Sequence, residues 1–297
     1  MIQKIILAVD GSEHSLAATL LVRDLPLPPG SSVTALAVLT PLQTPGRAAL
    51  MAALDKAQSI LGSGDFEVMV GLLHGHPAEE LARFADARRP DLLVTGAKGL
   101  RATLGILLGG VAQQLVEYAH WPVLIVRAPY AGLRRVLLVT DGSTYSREAA
   151  DYLTKFPLRP GAAAEVMHVL PPMPQPYAAA HTWPGETNIS PLVTQPLEEE
   201  SIARQAETEE REGQAFVDGA VDTLRSAGVA ATGVLVRGDA ATEIIEHART
   251  HATDLIVAGS RGYGAVKGWL MGSVSRNLVH YAGCSVLIVR SELQADA

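Results

Sequence analysis

Two short segments near the end of the chain hold residues that could grip an anion. Gly259-Ser260-Arg261-Gly262 closes an apolar run, and Gly272-Ser273-Val274-Ser275 follows in the pattern Gly-x2-Gly-x9-Gly-Ser. Glycines let the backbone approach a ligand without a Cβ in the way. The start of a helix offers unpaired N–H groups and the positive end of the helix dipole, which together favour phosphate. Ser273 and Ser275 add hydroxyls where phosphate oxygens would lie, and Arg261 supplies a local cation. Glycines that only punctuate a strand-to-helix turn, with Ser273 as a helix cap, are the plainer alternative. The pattern is no Walker A loop, because no Gly-Lys-Ser/Thr completes it. Nor is it a dinucleotide fingerprint: Gly262-x-Gly264 lacks its third glycine, and Lys267 stands in that place.

The chain contains this arrangement twice. Lys4-Ile-Ile-Leu-Ala-Val-Asp-Gly-Ser12 recurs as Arg135-Val-Leu-Leu-Val-Thr-Asp-Gly-Ser143, and Asp91–Gly96 recurs as Asp254–Gly259. Gly105–Arg127 matches Gly268–Arg290 at more than half of its positions. Ordered matches of this kind mark a tandem repeat, with domains expected at 1–129 and 133–291. The spacing between copies widens after the strand around Val166–Leu170, which places an insertion in the second copy. It begins at the proline-rich Pro171–Pro176 and runs to about Glu200, and reads as a loop or lid rather than a core element.

In the first copy the glycines persist as Gly96-Ala97-Lys98-Gly99 and Gly109-Gly110-Val111-Ala112, without the hydroxyls of Ser273 and Ser275. A hydrogen bond contributes about 1 kcal/mol net and somewhat more to a charged oxygen, so losing two weakens binding on the order of tenfold to a few hundredfold. The first copy is therefore expected to hold a ligand weakly or not at all, with Lys98 as partial compensation or a solvated loop lysine. Asp10 and Asp141 end the first strand of each copy. A carboxylate there suits ribose hydroxyls, a magnesium ion carried by phosphates, or the cap of the next helix.

The elements that would position these residues alternate strand and helix. Ile5–Val9, Val33–Leu39, Phe66–Leu73, Leu92–Thr95 and Val123–Val126 read as buried parallel strands. Glu13–Asp24, Pro77–Arg88 and Val111–Ala119 read as helices, with Pro77 and Asp239 where N1 or N-cap residues belong. Five strands and four helices per copy predict an α/β fold: two tandem Rossmann-like domains, each a five-stranded parallel sheet with helices on both faces. Ligands of such sheets bind beyond the carboxyl ends of the strands.

The pattern Gly-x2-Gly-x9-Gly-Ser, with Val139-Thr140-Asp141-Gly-Ser143 at the first strand and Asp254–Gly259 at the fourth, resembles the universal stress proteins. The resemblance covers both copies. It implies an adenine nucleotide alpha hydrolase-like fold, and ATP as ligand. Gly259, Gly262, Gly272, Ser273, Val274 and Ser275 would then hold phosphates and ribose, with Val139, Thr140, Asp141 and Val169 flanking ribose and adenine. It further implies an intrachain pseudo-dimer in which Val123–Val126 meets Val286–Val289, with pairing of two chains unsurprising.

Composition bounds the remaining classes. Hydrophobic residues are 48%, charged residues 19% and aromatics 5%, which excludes disorder and a base-stacking platform. A net charge of −7 disfavours nucleic-acid partners. No apolar run approaches the ~20 residues that span a bilayer, so neither a membrane nor a nucleic acid is expected as partner, and the chain is expected to be cytoplasmic. The single cysteine, Cys284, excludes a disulfide framework and reads as core packing. His74/His76 and His247/His251 lack further ligands for a metal. Three functions stay open: a nucleotide-binding stress sensor, a slow ATPase, and a nucleotide-free module using the insertion to reach a regulatory protein.

Overall fold

A computed structural model describes residues 2–41, 46–100, 108–173, 195–262 and 271–290. The first half contains β1 (Lys4–Ala8), α1 (Glu13–Asp24), β2 (Ser32–Leu39), α2 (Arg47–Leu61), β3 (Glu67–His74), α3 (Pro77–Arg88), β4 (Leu92–Gly96), α4 (Gly110–Tyr118) and β5 (Val123–Val126). The second half repeats them as β6 (Arg135–Val139), α5 (Thr144–Lys155), β7 (Ala163–Leu170), α6 (Gln195–Ser226), β8 (Ala230–Arg237), α7 (Ala240–Thr250), β9 (Leu255–Gly259), α8 (Ser273–Tyr281) and β10 (Ser285–Val289). The α/β expectation holds, and the expected helices over 13–24 and 77–88 match α1 and α3 in their bounds.

The ten strands among the described residues form one sheet in the order β3-β2-β1-β4-β5-β10-β9-β6-β7-β8. Pairing is parallel within each half. The halves join where β5 and β10 run antiparallel, with Leu124 opposite Leu287. A parallel strand covered on both faces needs continuous apolar sequence, and Ile5, Ile6 and Leu7 illustrate it. Ile5 and Leu7 belong to one core layer, with Leu21, Leu54, Leu153 and Leu224 of α1, α2, α5 and α6. Ile6 points to the other layer, with Leu81, Leu115, Ile244 and Leu278 of α3, α4, α7 and α8. Each layer runs uninterrupted across both halves.

The helix starts fall into two kinds. α1 and α5 are capped by Ser12 and Ser143, whose Oγ atoms accept from the N–H groups of Ser15 and Ser146 at 3.2 and 3.3 Å, and Asp239 caps α7 by accepting from Thr242 N–H at 3.0 Å. These caps satisfy donors that the helix leaves unpaired. α4 and α8 instead begin after Gly109 and Gly272, which have no side chain to offer. The caps of α1 and α5 are thus serines rather than Asp10 and Asp141.

The insertion differs from its expected form. Residues 174–194 lie outside the described set, but its last part, from Gln195, is helix. α6 is 32 residues long against 15 for α2, so the extra length extends an existing element. The glutamates, alanines, arginines and glutamine of Leu197–Glu212 are helix formers, and the prolines that suggest a loop all precede this stretch, the last of them, Pro196, lying in the first turn of α6. Arg237 at the end of β8 fastens the extension: its Nη1 donates to Glu209 Oε2 at 2.7 Å and to the Pro171 carbonyl at 2.8 Å.

Candidate functional site: two unequal cavities at the strand ends

The carboxyl ends of β6, β7 and β9 and the start of α8 enclose a cavity of about 850 Å³. Val139, Thr140, Asp141, Val169, Gly259, Arg261, Gly262, Gly272, Ser273, Val274 and Ser275 all line it. The equivalent place in the first half is a cavity of about 290 Å³, lined among others by Asp10, Gly96, Lys98, Gly99, Gly109, Gly110 and Val111. Each copy thus gathers the residues singled out from its sequence. Small-molecule pockets run from about 300 to 1,000 Å³, so only the second cavity falls well inside that range.

The uncapped start of α8 forms one wall. The first bond of its ladder runs from Arg276 N–H to the Gly272 carbonyl at 3.0 Å, so the N–H groups of Ser273, Val274 and Ser275 stand ahead of it. Ser273 is exposed and Ser275 is buried. Ser275 Oγ donates to the Gly259 carbonyl at 2.7 Å, tying α8 to β9. Its proton is thereby committed, and the anion-holding capacity of this wall lies in the backbone N–H groups and Ser273. In the first half Ala112 makes no such tie.

Two cations border the same wall, Arg261 and Arg276. The Arg261 guanidinium lies 5.9 Å from the Tyr145 ring centroid, with Nη1 3.5 Å from Tyr145 Oη. Burial, and secondarily the charge of Arg261, bring Arg290 down to about 10. The lining also has an apolar part: Val139, Val169, Ala240, Ile244, Ala258 and Met271.

Two glycines are fixed by close approach. A Cβ on Gly262 would sit 2.4 Å from Asp141 Oδ2, so the turn after β9 presses against the carboxylate. A Cβ on Gly259 would meet the Tyr145 backbone oxygen at 2.6 Å, so this glycine is required by the packing of α5 on β9. Asp141 Oδ1 accepts from Ser143 N–H at 3.0 Å. Asp10 makes the same turn through Ser12 N–H at 2.9 Å, and its Oδ2 also accepts from Leu100 N–H at 3.1 Å. Gly264 and Lys267 lie outside the described residues.

Sequence reading did not single out several of the lining residues, among them His168, Glu212, Phe216 and Arg276. The signal was available as differences between copies, since His168 replaces Ala37 at the sixth residue of equivalent strands. The other histidine pairs fall elsewhere. His247 Nε2 lies 2.5 Å from Glu165 Oε2 and stacks on His251 with centroids 3.9 Å apart. His74 ends β3 and His76 precedes α3. Among the described residues no group of three or more His, Cys, Asp or Glu is arranged to hold a metal. No described helix is long and apolar enough to cross a membrane.

The family model described as "Universal stress protein family" matches residues 1–127 and 132–290. A universal stress protein of Mycobacterium tuberculosis is 29% identical over 279 residues, which are 91% of this chain and 82% of that protein. One from Methanocaldococcus jannaschii is 36% identical over 77 residues, 26% of this chain and 45% of that one. Among solved structures, a universal stress protein from Archaeoglobus fulgidus superposes with a TM-score of 0.62 at 16% identity, covering 97% of this chain and 96% of that one. A putative universal stress protein from Pseudomonas aeruginosa gives 0.64 at 16% identity, with 97% and 93% covered. These two likenesses speak for the fold, and the family match spans both halves: the chain belongs to the universal stress protein family.

Proposed function

We propose that the second-half cavity binds ATP or a related adenine nucleotide, and that occupancy of this site is how the protein senses and regulates in the stress response. The observation that carries the reading is the start of α8. It is a helix N-terminus without a side-chain cap, facing a cavity of about 850 Å³ with two arginines on its border. The starts of α1, α5 and α7 each have a backbone donor taken by a serine or aspartate cap, whereas the start of α8 leaves its own for an anion. The phosphates would lie on the N–H groups of 273–275, with Ser273, Gly262 and Arg261 beside them. The apolar wall of Val139, Val169 and Ile244 suits a purine face. Asp141 at the strand end suits ribose hydroxyls or a phosphate-bound magnesium ion, since its carboxylate adjoins the Gly262 turn.

The first cavity would remain weakly occupied or empty. Its volume is about a third of the other, it has lost the hydroxyls, and Lys98 is its lining cation.

The test is to identify and quantify any nucleotide released from the purified full-length chain, then titrate the emptied protein with ATP, AMP and cyclic AMP by calorimetry. One site per chain is expected. Ser273→Asp places a negative charge at the helix start, which stabilises the helix but repels phosphate. That variant should fold and bind at least tenfold more weakly. Undiminished binding in Ser273→Asp, or no binding by the parent protein, would sink the reading.

A further inference from the structure

The larger cavity carries a ring that the phosphate seat does not employ. His168 Nδ1 lies 2.7 Å from the Thr140 carbonyl oxygen. A carbonyl can only accept, so Nδ1 carries the proton, and in the neutral imidazole the lone pair falls on Nε2. Among the described residues Nε2 has no protein partner, and His168 is part of the cavity lining.

The ring is held in place. Phe216 of α6 meets it edge-on, with centroids 5.6 Å apart and planes at 84°. Gly213, one turn earlier on α6, leaves the space: a Cβ there would come within 2.8 Å of His168 Cδ2. The first half has Ala37, Leu50 and Ala53 where the second has His168, Gly213 and Phe216. Ala37 and Leu50 are buried there. The three differences fit one another. Removing a leucine side chain opens room, an imidazole fills it, and a phenyl ring braces the imidazole. A merely structural replacement of an apolar cluster has no need of a nitrogen lone pair on a cavity wall.

We propose that His168 is a specificity-determining residue of the second cavity, its Nε2 accepting a hydrogen bond from a donor group of the bound nucleoside, either a base amine or a ribose hydroxyl. The inference rests on the nucleotide reading above. It makes the second cavity selective for ligands that carry that donor, a property the first cavity lacks.

Calorimetric titration of the full chain with ATP, 2′-deoxyATP, 3′-deoxyATP and inosine triphosphate, in the parent protein and in His168→Phe, tests it. One hydrogen bond corresponds to a weakening of ATP binding of about 2- to 10-fold in the variant. The difference between parent and variant should vanish for the one analogue that lacks the donor: a deoxy analogue points to the hydroxyl, the inosine analogue to the amine. If the phenyl ring prevents folding, His168→Ala is read in the same way. Equal ATP affinity in variant and parent, or equal weakening for all four nucleotides, overturns the role of His168 while the nucleotide reading stands. Failure of the parent protein to bind any of the four takes both down.

Discussion

Arg127, the residue after β5 in the first half, donates through Nη2 to the carbonyl of Val279, in the last turn of α8 in the second half, at 2.8 Å. The same nitrogen reaches the His280 carbonyl at 3.3 Å. Arg290, after β10, returns the contact by donating to the carbonyls of Val116 and Glu117 at the end of α4. Each cavity-forming helix is therefore closed at its far end by an arginine from the opposite half. A cation at a helix C-terminus is favoured by the dipole and satisfies carbonyls that the helix cannot.

Removing either arginine should destabilise the protein. Arg127→Met or Arg290→Met leaves two carbonyls without their charged donor, and the loss of such a hydrogen bond costs about 1–3 kcal/mol. Urea unfolding of each variant against the parent measures it. An unchanged midpoint with an unchanged slope would show that water takes over the capping.

Gly259→Ala should lower stability with no ligand present, because its Cβ would meet backbone rather than a pliable side chain. Overpacking of this kind costs about 1–3 kcal/mol. Comparing the melts of Gly259→Ala with and without nucleotide separates this from any effect on binding, and a variant as stable as the parent would contradict the close packing of α5 on β9.

Gly272→Ser should move stability and binding in opposite directions. The added hydroxyl can cap α8 as Ser143 caps α5. Serine exceeds glycine at this position by a few tenths of a kcal/mol. The same hydroxyl would occupy the N–H groups assigned to phosphate, so the melting temperature should hold or rise while the nucleotide Kd increases. Tighter binding would count against the open helix start as the anion seat.

His14 should make the fold sensitive to mild acid. Its Nδ1 accepts from Ala128 N–H at 2.9 Å, and burial, followed by the charges of Lys98 and Arg127, holds the imidazole below its ordinary 6.5. The folded state thus takes up a proton less readily than the unfolded chain. Its contribution is fully present above 6.5 and is lost as pH falls from there through the lowered folded value. Melting temperatures at a series of pH values from about 8 to 5 should decline less steeply in His14→Gln than in the parent.

Cys284 should be slow to react. Burial pushes its thiol up to about 11 from 9.0, so the thiolate is about a hundredfold scarcer than in an unperturbed cysteine. Alkylation at neutral pH should therefore accelerate by at least that factor when the chain is unfolded in urea. Equal rates in the two states would place the thiol in the open.

Much of this architecture is legible in the sequence because it is local. The apolar runs at 5–9 and 92–95 and the duplicated glycine turns each declare themselves within a few residues, and the candidate site residues at and after the strand ends line the two cavities. What the sequence conceals is long-range. Arg127 and Arg290 close their strands without any motif, and their role appears only when β5 and β10 lie side by side. His168 becomes informative when Phe216 and Gly213 come against it from a helix 45 or more residues downstream. The helical tail of the insertion went unseen because prolines near 171–176 dominate the pattern there, although the stretch from Leu197 onward has helix-forming composition.

The antiparallel meeting of β5 and β10 within one chain has an evolutionary consequence. In a dimer of identical subunits both cavities are written by the same codons, so any substitution that shapes one reshapes the other. Here the two are written separately. His168 can face Phe216 while Ala37 stands in the first half, and Ser273 and Ser275 can stand where the first half has Gly110 and Ala112. Covalent duplication frees each site to change without the other.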